Sequence, residues 1–522
     1  MPEYLSPGVY IEEIERGPRP IEGVPTSTSA FLGEAERGTL TPTLVTSCQD
    51  YQHWFGGLFD ARCYLPNAAA GFFENGGTRL YVSRITGPGG TPASKDIGGG
   101  VIVTAVGPGA WGRRIWIRVR EGSTPDKDHN KGFRLQLAYW PTTPEAVFDP
   151  FAETTRLPRP QILEDHDDLS IDPFSSDYFE KRLRDTATKA SVSPLITLAA
   201  PNGATGRPPI ADGDFLNTGG NEPPVPGVAD FDPQDGREQG LAALDRRQYR
   251  EVALMYAPFP RHQPNEIAQA IFQRCKRRRF CFSVIDAPPD TPPGQLNPRV
   301  SNGWDMQYAA FYAPWIVASD PLTGARVRMP PGGHVLGIYS RTDAERGVFK
   351  APANEVVRGA LDVGFPISDS TQDVLNPRGV NAIRTFPSRG IRVWGARTLS
   401  SDGMWQYVSV QRLFIFLERS IHEGTQWVVF EPNDDMLWAR VKDTIRLFLR
   451  SQWRGGALLG QTEDEAFFIT CDRTTMSQDD IASGRLICEI GIAPVRPAEF
   501  VIFRLFQNTA EASDPNPHAP AS

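Results

Sequence analysis

The sequence lacks the cysteine arrangements that hold metals or build a disulfide framework. Its six cysteines contain no C-x-x-C pair; they are Cys48, Cys63, Cys275, Cys281, Cys471 and Cys488. Scattered cysteines in a chain of 522 residues are typical of buried thiols in a reducing compartment. We therefore expect the protein to fold in the cytoplasm.

Long apolar runs are missing as well. No stretch approaches the roughly 18 uninterrupted apolar residues that a membrane span requires. The opening MPEYLSPGVYIEEIERG contains acidic residues and no apolar core of signal-peptide length. The sequence thus predicts no direct membrane insertion and no signal peptide.

The common catalytic and nucleotide-binding motifs are also absent. The chain has no Walker A pattern, no H-E-x-x-H and no G-x-S-x-G. His334, Asp343 and Glu345 can be drawn as an acid–base group, but a structural turn and helix is the favoured interpretation. We expect no catalytic residue, no cofactor and no metal.

Two charged clusters have ordinary interpretations. His166 lies within the acidic stretch 165–168, which favours a solvated loop over a cation site. The cationic run Lys276–Arg279 fits a helix end, with an intersubunit contact as an alternative. Because the net charge is −8 and no wide basic surface is indicated, nucleic acid is not an expected partner.

Glycine and proline, by contrast, are abundant. The 48 glycines and 47 prolines predict many turns and irregular connections rather than a helical bundle. The chain length, with 40% hydrophobic and 22% charged residues, indicates several domains or one large core with insertions.

Hydrophobic periodicity divides the first half of the chain into three regions. Residues 1–25 are predicted to form a proline-rich arm with the short extended run VYIEEI. Residues 26–97 begin a central domain, which resumes at 241–379. Residues 98–240 between them are predicted to be an inserted β-rich domain that ends in a loose Pro/Gly-rich stretch. In its strand RRIWIRVRE, isoleucine and valine alternate with Arg114, Trp116 and Arg118.

The second half has an α/β pattern. REVALMYAPFP, PNEIAQAIFQRCKRRR and FCFSVIDAPP predict a strand, a helix and a strand, which favours a crossover unit on a partly parallel sheet. Residues 380–495 are predicted to form a C-terminal inner core domain with two helices. The first is VQRLFIFLERSIHEG, and the second begins near the N-cap residue Asn433. Its apolar stripe consists of Leu437, Val441, Ile445 and Phe448.

Both ends of the chain carry short apolar strands. Phe500–Phe506, within the C-terminal segment 496–522, is apolar at six of its seven positions, so both of its faces should be covered. The residues leave two interpretations open: a final strand in its own sheet, or a strand lent to a neighbouring copy. The isolation of VYIEEI behind prolines favours lending for that run.

Several long segments resemble the tail sheath protein family of contractile phages, R-type bacteriocins and extracellular contractile injection systems. In the family's order they are EYLSPGVYIEEI, AAFYAPWIVASDP, MPPGGHVLGIYSRTDAERGVFKAPANEVVRGA, LNPRGVNAIRTFPSRGIRVWGARTLS, GTQWVVFEPND and PAEFVIFRLFQ. The resemblance covers the N-terminal arm and nearly everything from about residue 245 to 507. Residues 98–240 match no motif of the family and resemble its variable, outward-facing insertions.

This resemblance implies a structural subunit and not an enzyme. Sheath subunits form hexameric rings stacked around an inner tube, between a baseplate and a terminal cap, and they contract to drive the tube through a target envelope. They also donate terminal strands to neighbouring copies. The donated residues implied for this chain are Val9, Tyr10, Ile11, Glu12, Ile14, Phe500, Val501, Ile502, Phe503, Leu505 and Phe506. The implied receiving edge lies within residues 380–495.

The charged face of the second helix is a candidate contact with the inner tube, because a sliding contact should be polar and releasable. Its residues are Asp434, Asp435, Arg440, Lys442 and Asp443, for which plain solvent exposure is the simpler alternative.

The sequence therefore predicts an α/β fold (α+β mixed sheets) that is multidomain, with an inserted β-rich domain and extended N- and C-terminal strand arms. Two rival functions remain. A static shell or surface-array protein would share the strand lending but would need only one lattice geometry. An α/β hydrolase-like enzyme would need a nucleophile motif after a strand.

Overall fold

The computed structural model describes residues 20–124, 132–184, 192–237, 239–320, 323–500 and 502. In chain order its strands are β1 (Ser29–Gly33), β2 (Thr43–Val45), β3 (Leu80–Arg84), β4 (Ala93–Asp96), β5 (Ile102–Ala105), β6 (Ile115–Glu121), β7 (Phe133–Tyr139), β8 (Ile162–Leu169), β9 (Ile196–Ala199), β10 (Ala211–Phe215), β11 (Thr218–Gly219), β12 (Leu254–Tyr256), β13 (Phe282–Asp286), β14 (Ala309–Ala313), β15 (Ile316–Ser319), β16 (Arg326–Met329), β17 (Glu355–Val356), β18 (Ala360–Val363), β19 (Val380–Phe386), β20 (Gly390–Trp394), β21 (Phe467–Thr470) and β22 (Glu489–Ile492). The α-helices are α1 (Cys48–Phe55), α2 (Leu65–Glu74), α3 (Phe179–Arg182), α4 (Val228–Phe231), α5 (Gly240–Leu244), α6 (Pro264–Arg278), α7 (Pro298–Ser301), α8 (Gly332–Arg346), α9 (Asp369–Leu375), α10 (Val408–Gly424), α11 (Asp435–Arg454), α12 (Glu463–Ala466) and α13 (Gln478–Ala482).

A nine-stranded mixed sheet forms the centre of the fold, in the order β17-β20-β19-β14-β13-β12-β1-β3-β2. The six strands from β19 to β3 run parallel, and β2, β20 and β17 are antiparallel additions at the two edges. The predicted crossover unit is confirmed, because β12 and β13 are parallel neighbours joined through α6. The α/β fold class is therefore confirmed for the described residues.

Both faces of this sheet are covered by helices. Side chains alternate along β1, so that Phe31 packs into the core below α2 and α8 while Ala30 and Leu32 pack toward α6. Helices α2 and α8 approach each other closely at glycines: a side chain at Gly333 would come within 2.4 Å of the Ala68 carbonyl oxygen. Buried parallel strands of this kind explain the continuous apolar runs in the sequence.

The inserted region forms two four-stranded sheets, β10-β6-β7-β8 and β11-β4-β5-β9, around an apolar core of their own. The alternation along β6 does not leave one face in solvent. Trp116 is buried in a second small cluster with Trp140, and Arg118 is buried against Gln136 and Asp149. Both faces of β6 are covered because the loop after β7 folds back over the outer face.

Several predicted domain boundaries differ from the positions at which the sheets begin and end in the structure. Pairing in the inserted sheets begins at Ala93, in β4, rather than at residue 98. Residues 211–215 lie in the stretch that was expected to be loose, yet they form β10 beside β6. The nine-stranded sheet continues through β19 and β20 to Trp394, so the predicted boundary at residue 379 falls between two strands of one sheet. Local periodicity does not report which distant strand a segment will pair with.

Candidate functional site

The residues from α10 to β22, 408–492, form a unit with a separate apolar core, here called the C-terminal unit. The predicted apolar stripe of α11 is confirmed, and it packs against Leu413 and Leu417 of α10. Its members Leu437, Val441, Ile445 and Phe448 are all buried. The predicted N-cap was wrong by one residue: the Asp434 carboxylate caps the helix, accepting a hydrogen bond from the Leu437 N–H at 2.8 Å.

Strands β21 and β22 form an antiparallel two-stranded sheet that packs on α11. Phe467 lies opposite Ile492, and Ile469 lies opposite Ile490, with these four side chains facing the apolar core. On the outer face, Phe468 lies over Gly491 and is 59% exposed. A two-stranded sheet is only marginally stable by itself, so the packing on α11 maintains it.

Hydrogen bonding in this ladder defines which backbone groups point outward. The Ala493 N–H donates to the Ala466 carbonyl at 2.9 Å, and bonded pairs alternate with non-bonded pairs along an antiparallel ladder. The backbone N–H and C=O groups of Ile469 and Ile490 therefore point away from the ladder, toward the two outer edges. Among the residues that the structure describes, no third strand pairs with either edge. Two open sheet edges are thus present on this unit.

The described chain begins on the surface of the same unit. Ile21 is buried against the last turn of α10, where a side chain added at Gly424 would come within 2.6 Å of Ile21 Cγ1. The Val24 N–H donates to Ser420 Oγ at 3.2 Å. The segment from Pro20 to Pro25 therefore runs along α10 before it enters β1 of the central sheet.

A buried ion pair fixes this entry segment between the two cores. Arg412 of α10 donates to both carboxylate oxygens of Asp343 in α8, at 2.9 and 2.5 Å, and also to the Thr26 carbonyl. The Thr26 hydroxyl donates to the same carboxylate at 2.6 Å. Both charged side chains are almost fully buried, so removing either one would leave the other as an unpaired buried charge. This pair ties the C-terminal unit to the central domain.

Glu499 fixes the point at which the chain leaves the C-terminal unit. Its carboxylate accepts hydrogen bonds from Arg397, at 2.9 and 2.5 Å, from Asn376 at 2.7 Å and from Tyr407 at 3.3 Å. Burial alone would raise the pKa of Glu499, but the hydrogen bonds from Arg397 and Asn376 outweigh burial and hold that pKa below its usual value. Sequence analysis missed this residue, because its partners lie far away along the chain.

The predicted donated residues fall at the limits of the described chain. Phe500 and Ile502 are 75% and 79% exposed, so neither is buried in its own chain. The other predicted members lie outside the described residues: Val9, Tyr10, Ile11, Glu12, Ile14, Val501, Phe503, Leu505 and Phe506. Their role as donated strands stays a prediction.

The predicted tube-contact residues lie together on the outer face of α11 and at its start. Arg440 forms an ion pair with Glu431, and Asp435 forms an ion pair with Arg473; all four side chains are exposed. Lys442 is half-buried and Asp443 is exposed. Asp434 is the helix cap. This surface is polar, as the hypothesis requires, and the tube contact itself stays a prediction.

The residues considered as an acid–base group occupy structural positions. His334 is 2% exposed in the first turn of α8, packed against Gly71, and burial lowers its pKa to about 4. Asp343 is engaged by Arg412, as described above. In the described ranges no group of three or more His, Cys, Asp or Glu side chains is arranged to hold a metal ion.

Comparison with known proteins gives consistent matches. Residues 236–399 match the family model described as the phage tail sheath protein central domain, and residues 400–508 match the phage tail sheath C-terminal domain. The division at residue 399 agrees with the end of the nine-stranded sheet at Trp394.

Individual relatives support the same family. A putative prophage major tail sheath protein of Pseudomonas aeruginosa (strain UCBPP-PA14) is 24% identical over 277 residues, which covers 52% of this chain and 69% of that protein. The tail sheath protein of Escherichia phage P2 is 24% identical over 280 residues, covering 52% and 68% of the two chains. The fold is similar to the sheath of an extracellular contractile injection system, PVC, solved in the contracted state, with a TM-score of 0.56, 22% identity and coverage of 97% and 99%.

Proposed function

The chain belongs to the phage tail sheath protein family, as a structural subunit of a contractile, phage-tail-like particle, and we propose that it polymerises as stacked hexameric rings around an inner tube. The two family models together span residues 236–508, just over half of the chain. In the proposed function, contraction of this polymer drives the tube through a target envelope. We propose a mechanical role with no catalysis and no cofactor.

The observation that carries the proposal is the β21–β22 sheet with its two open edges. An extended segment from another copy can add to such an edge through backbone hydrogen bonds. One edge suits the N-terminal run Val9–Ile14 of one neighbour, and the other suits the C-terminal run Phe500–Phe506 of a second neighbour. Each subunit would then be linked to two others by a four-stranded sheet.

The entry and exit points of the described chain support this arrangement. Both terminal segments leave from short anchored stretches, Ile21 on α10 and Glu499 on Arg397, so the residues beyond them can reach a neighbouring copy without disturbing either core. A backbone ladder also tolerates rotation between subunits when the linking segments flex. The energy for contraction would then come from the difference between two packings of the same subunits.

The remaining partners are proposals of the same kind. The polar surface of α11, with Asp435, Arg440 and Asp443, is the proposed contact with the inner tube, and the ends of the polymer would bind baseplate and cap proteins. No helix of the described residues is long and apolar enough to cross a membrane. We propose assembly in the bacterial cytoplasm, without nucleic acid as a partner.

Proline substitution at the two open edges tests the strand donation. Ile469→Pro and Ile490→Pro each remove one outward N–H while leaving the β21–β22 ladder bonded, because proline is tolerated where its nitrogen faces away from a pairing strand. We expect each variant to remain a folded monomer by circular dichroism and to form no tubes in negative-stain micrographs. Ile469→Val and Ile490→Val, which keep the N–H groups, are the matched controls and should assemble.

The donor strand offers a complementary test. Phe503→Asp places a charge in the proposed C-terminal donated run and should likewise block tube formation without lowering the melting temperature. Full-length tubes from both proline variants would refute strand donation at these edges. Tubes of a single length and diameter under all conditions would favour a static shell or surface array.

A further inference from the structure

Two cysteines face each other at one end of the β21–β22 sheet. Cys471 directly follows β21 and Cys488 directly precedes β22, and the register that pairs Thr470 with Glu489 places the two cysteines opposite each other one step further along. Residues 472–487, which include α13, lie between them in the chain. Two residues distant in sequence are thus held side by side by the ladder.

The ladder gives this pair the geometry of a disulfide site. Because Thr470 and Glu489 occupy a bonded position, Cys471 and Cys488 occupy the next non-bonded position, where opposed side chains are closest and Cα atoms lie about 4.5 Å apart. Disulfides form when this separation is roughly 4.4–6.8 Å. A cross-strand pair at such a position therefore lies within the range that a disulfide spans.

The two thiols already interact in the reduced protein. Interaction with Cys488, followed by the nearby Lys442 ammonium, lowers the pKa of Cys471 although burial opposes the change. The same interaction raises the pKa of Cys488. Cys471 is 2% exposed, whereas Cys488 is half-buried and gives a small reagent access to the pair. A stabilised thiolate beside a second thiol is the arrangement found in reactive dithiols.

We propose that Cys471 and Cys488 are an oxidisable pair that closes to an intramolecular disulfide when hydrogen peroxide reaches the folded protein. The Cys471 thiolate attacks one peroxide oxygen, the O–O bond breaks, and Cys471 becomes a sulfenic acid while hydroxide leaves and takes up the thiol proton as water. The Cys488 sulfur then attacks the Cys471 sulfur, and the S–S bond forms as a second water leaves. Two thiols and one peroxide give one disulfide and two waters.

The disulfide would link the two strands of the proposed receiving sheet. It would restrain residues 472–487 in the unfolded chain and so stabilise the C-terminal unit once the particle has left a reducing compartment. The chemistry depends only on the geometry of this sheet, so it can hold or fail whether or not the edges accept donated strands.

The chain provides an internal control. Cys275 and Cys281 also interact with each other, but they lie at the end of α6 and just before β13, and both are 0% exposed. Contact between thiols is therefore common to the two pairs, and the difference between them is access from solvent together with cross-strand placement. We expect Cys275 and Cys281 to stay reduced under the same treatment.

Peptide mapping of the full chain tests the proposal. The purified protein is treated with hydrogen peroxide, quenched with catalase, alkylated in denaturant and digested with trypsin. We expect residues 455–473 and 486–504 to appear as one linked species, about 2 Da lighter than the two reduced peptides together. Dithiothreitol before alkylation should restore both separate peptides, and Cys471→Ser and Cys488→Ser should each abolish the linked species.

Three outcomes would overturn the proposal. The first is alkylation of both Cys471 and Cys488 after peroxide treatment, which would mean that the pair does not react. The second is a linked species that joins either cysteine to another cysteine or to a second chain. The third is conversion of Cys471 to sulfinic or sulfonic acid without linkage, which would mean that Cys488 does not resolve the sulfenic acid.

Discussion

The edge strands of the central sheet differ from those of the sheet in the C-terminal unit. The nine-stranded sheet ends in β17, with two residues, and β2, with three, and such short edge strands offer little backbone for pairing. The β21–β22 sheet consists entirely of edge strands, each four residues long, with an apolar Phe468 exposed on its outer face. One sheet therefore ends in short strands, whereas the other leaves both of its strands unpaired on their outer sides within the described residues.

This difference suggests a division of tasks within one subunit. A parallel sheet buried on both faces is rigid and self-sufficient, which suits a body that must transmit force. A small sheet packed on one side by α11 depends on what is added to it, which suits a joint between copies. The ion pair of Arg412 and Asp343 connects the two regions, so under the proposed function it would pass movement at the joint to the body.

The largest expected effect is a core truncation in the central sheet. Phe31 of β1 is fully buried, with its ring 5.4 Å from that of Phe72 and 5.2 Å from that of Tyr256. Phe31→Ala should lower the free energy of unfolding by about 4 kcal/mol, because it leaves a cavity in a close-packed core. Urea denaturation followed by tryptophan fluorescence measures the loss.

Phe468→Ala is the matched substitution in the C-terminal unit. Since the side chain is 59% exposed, we expect a change of less than about 0.5 kcal/mol in monomer stability together with weaker assembly. If the two substitutions destabilised the monomer equally, the contrast between a closed body and an open joint would be wrong.

Much of this fold can be predicted from local patterns. Pro264 at the start of α6, Gly424 at the end of α10 and the stripe along α11 are features within one element, and the structure confirms them. The assignment of segments to sheets was less successful. β19 and β20 follow the central motifs closely in sequence and join the central sheet, which no periodicity within 380–394 indicates.

The candidate site residues show the same limit of prediction from local sequence patterns. The apolar run at the C-terminal end was visible because six of its seven residues are apolar. Glu499, one residue before it, was overlooked because its role depends on Arg397, Asn376 and Tyr407, which lie between 92 and 123 residues earlier. A single glutamate in a polar linker carries no pattern, and only the folded chain brings its partners together.

The two regions should also differ in how their stability responds to acid, and this effect is smaller than that of Phe31→Ala. Burial lowers the pKa of His334 to about 4, below its usual 6.5. The unfolded chain therefore binds a proton near pH 6.5 that the folded chain accepts only near pH 4, so stability falls as pH drops through this window. Between pH 7 and pH 5 the parent chain should lose about 2 kcal/mol more than His334→Gln. Denaturation at the two pH values measures the difference.

The exposed His422 of α10 supplies the matched surface substitution. His422→Gln should change the free energy of unfolding at pH 7 by less than about 0.5 kcal/mol. An equal loss in His334→Gln and the parent chain would mean that the buried imidazole does not govern the acid response of the central domain.

The smallest effect concerns the exit from the C-terminal unit. Hydrogen bonds hold the pKa of Glu499 below its usual value, so the anchoring is complete above about pH 4.3 and is lost as pH falls through the lowered value. At neutral pH, Glu499→Gln should weaken the anchor by about 1 kcal/mol, because a neutral amide replaces the charged acceptor for Arg397. The segment after residue 499 should then detach about fivefold more often, and limited chymotrypsin cleavage after Phe500 should accelerate by a similar factor. Glu489→Gln, an exposed change on β22, is the control and should leave the cleavage rate unaltered. Equal cleavage rates in the parent chain and both variants would show that the exit is held by the pairing of residues 493–495 with 457–459 and not by Glu499.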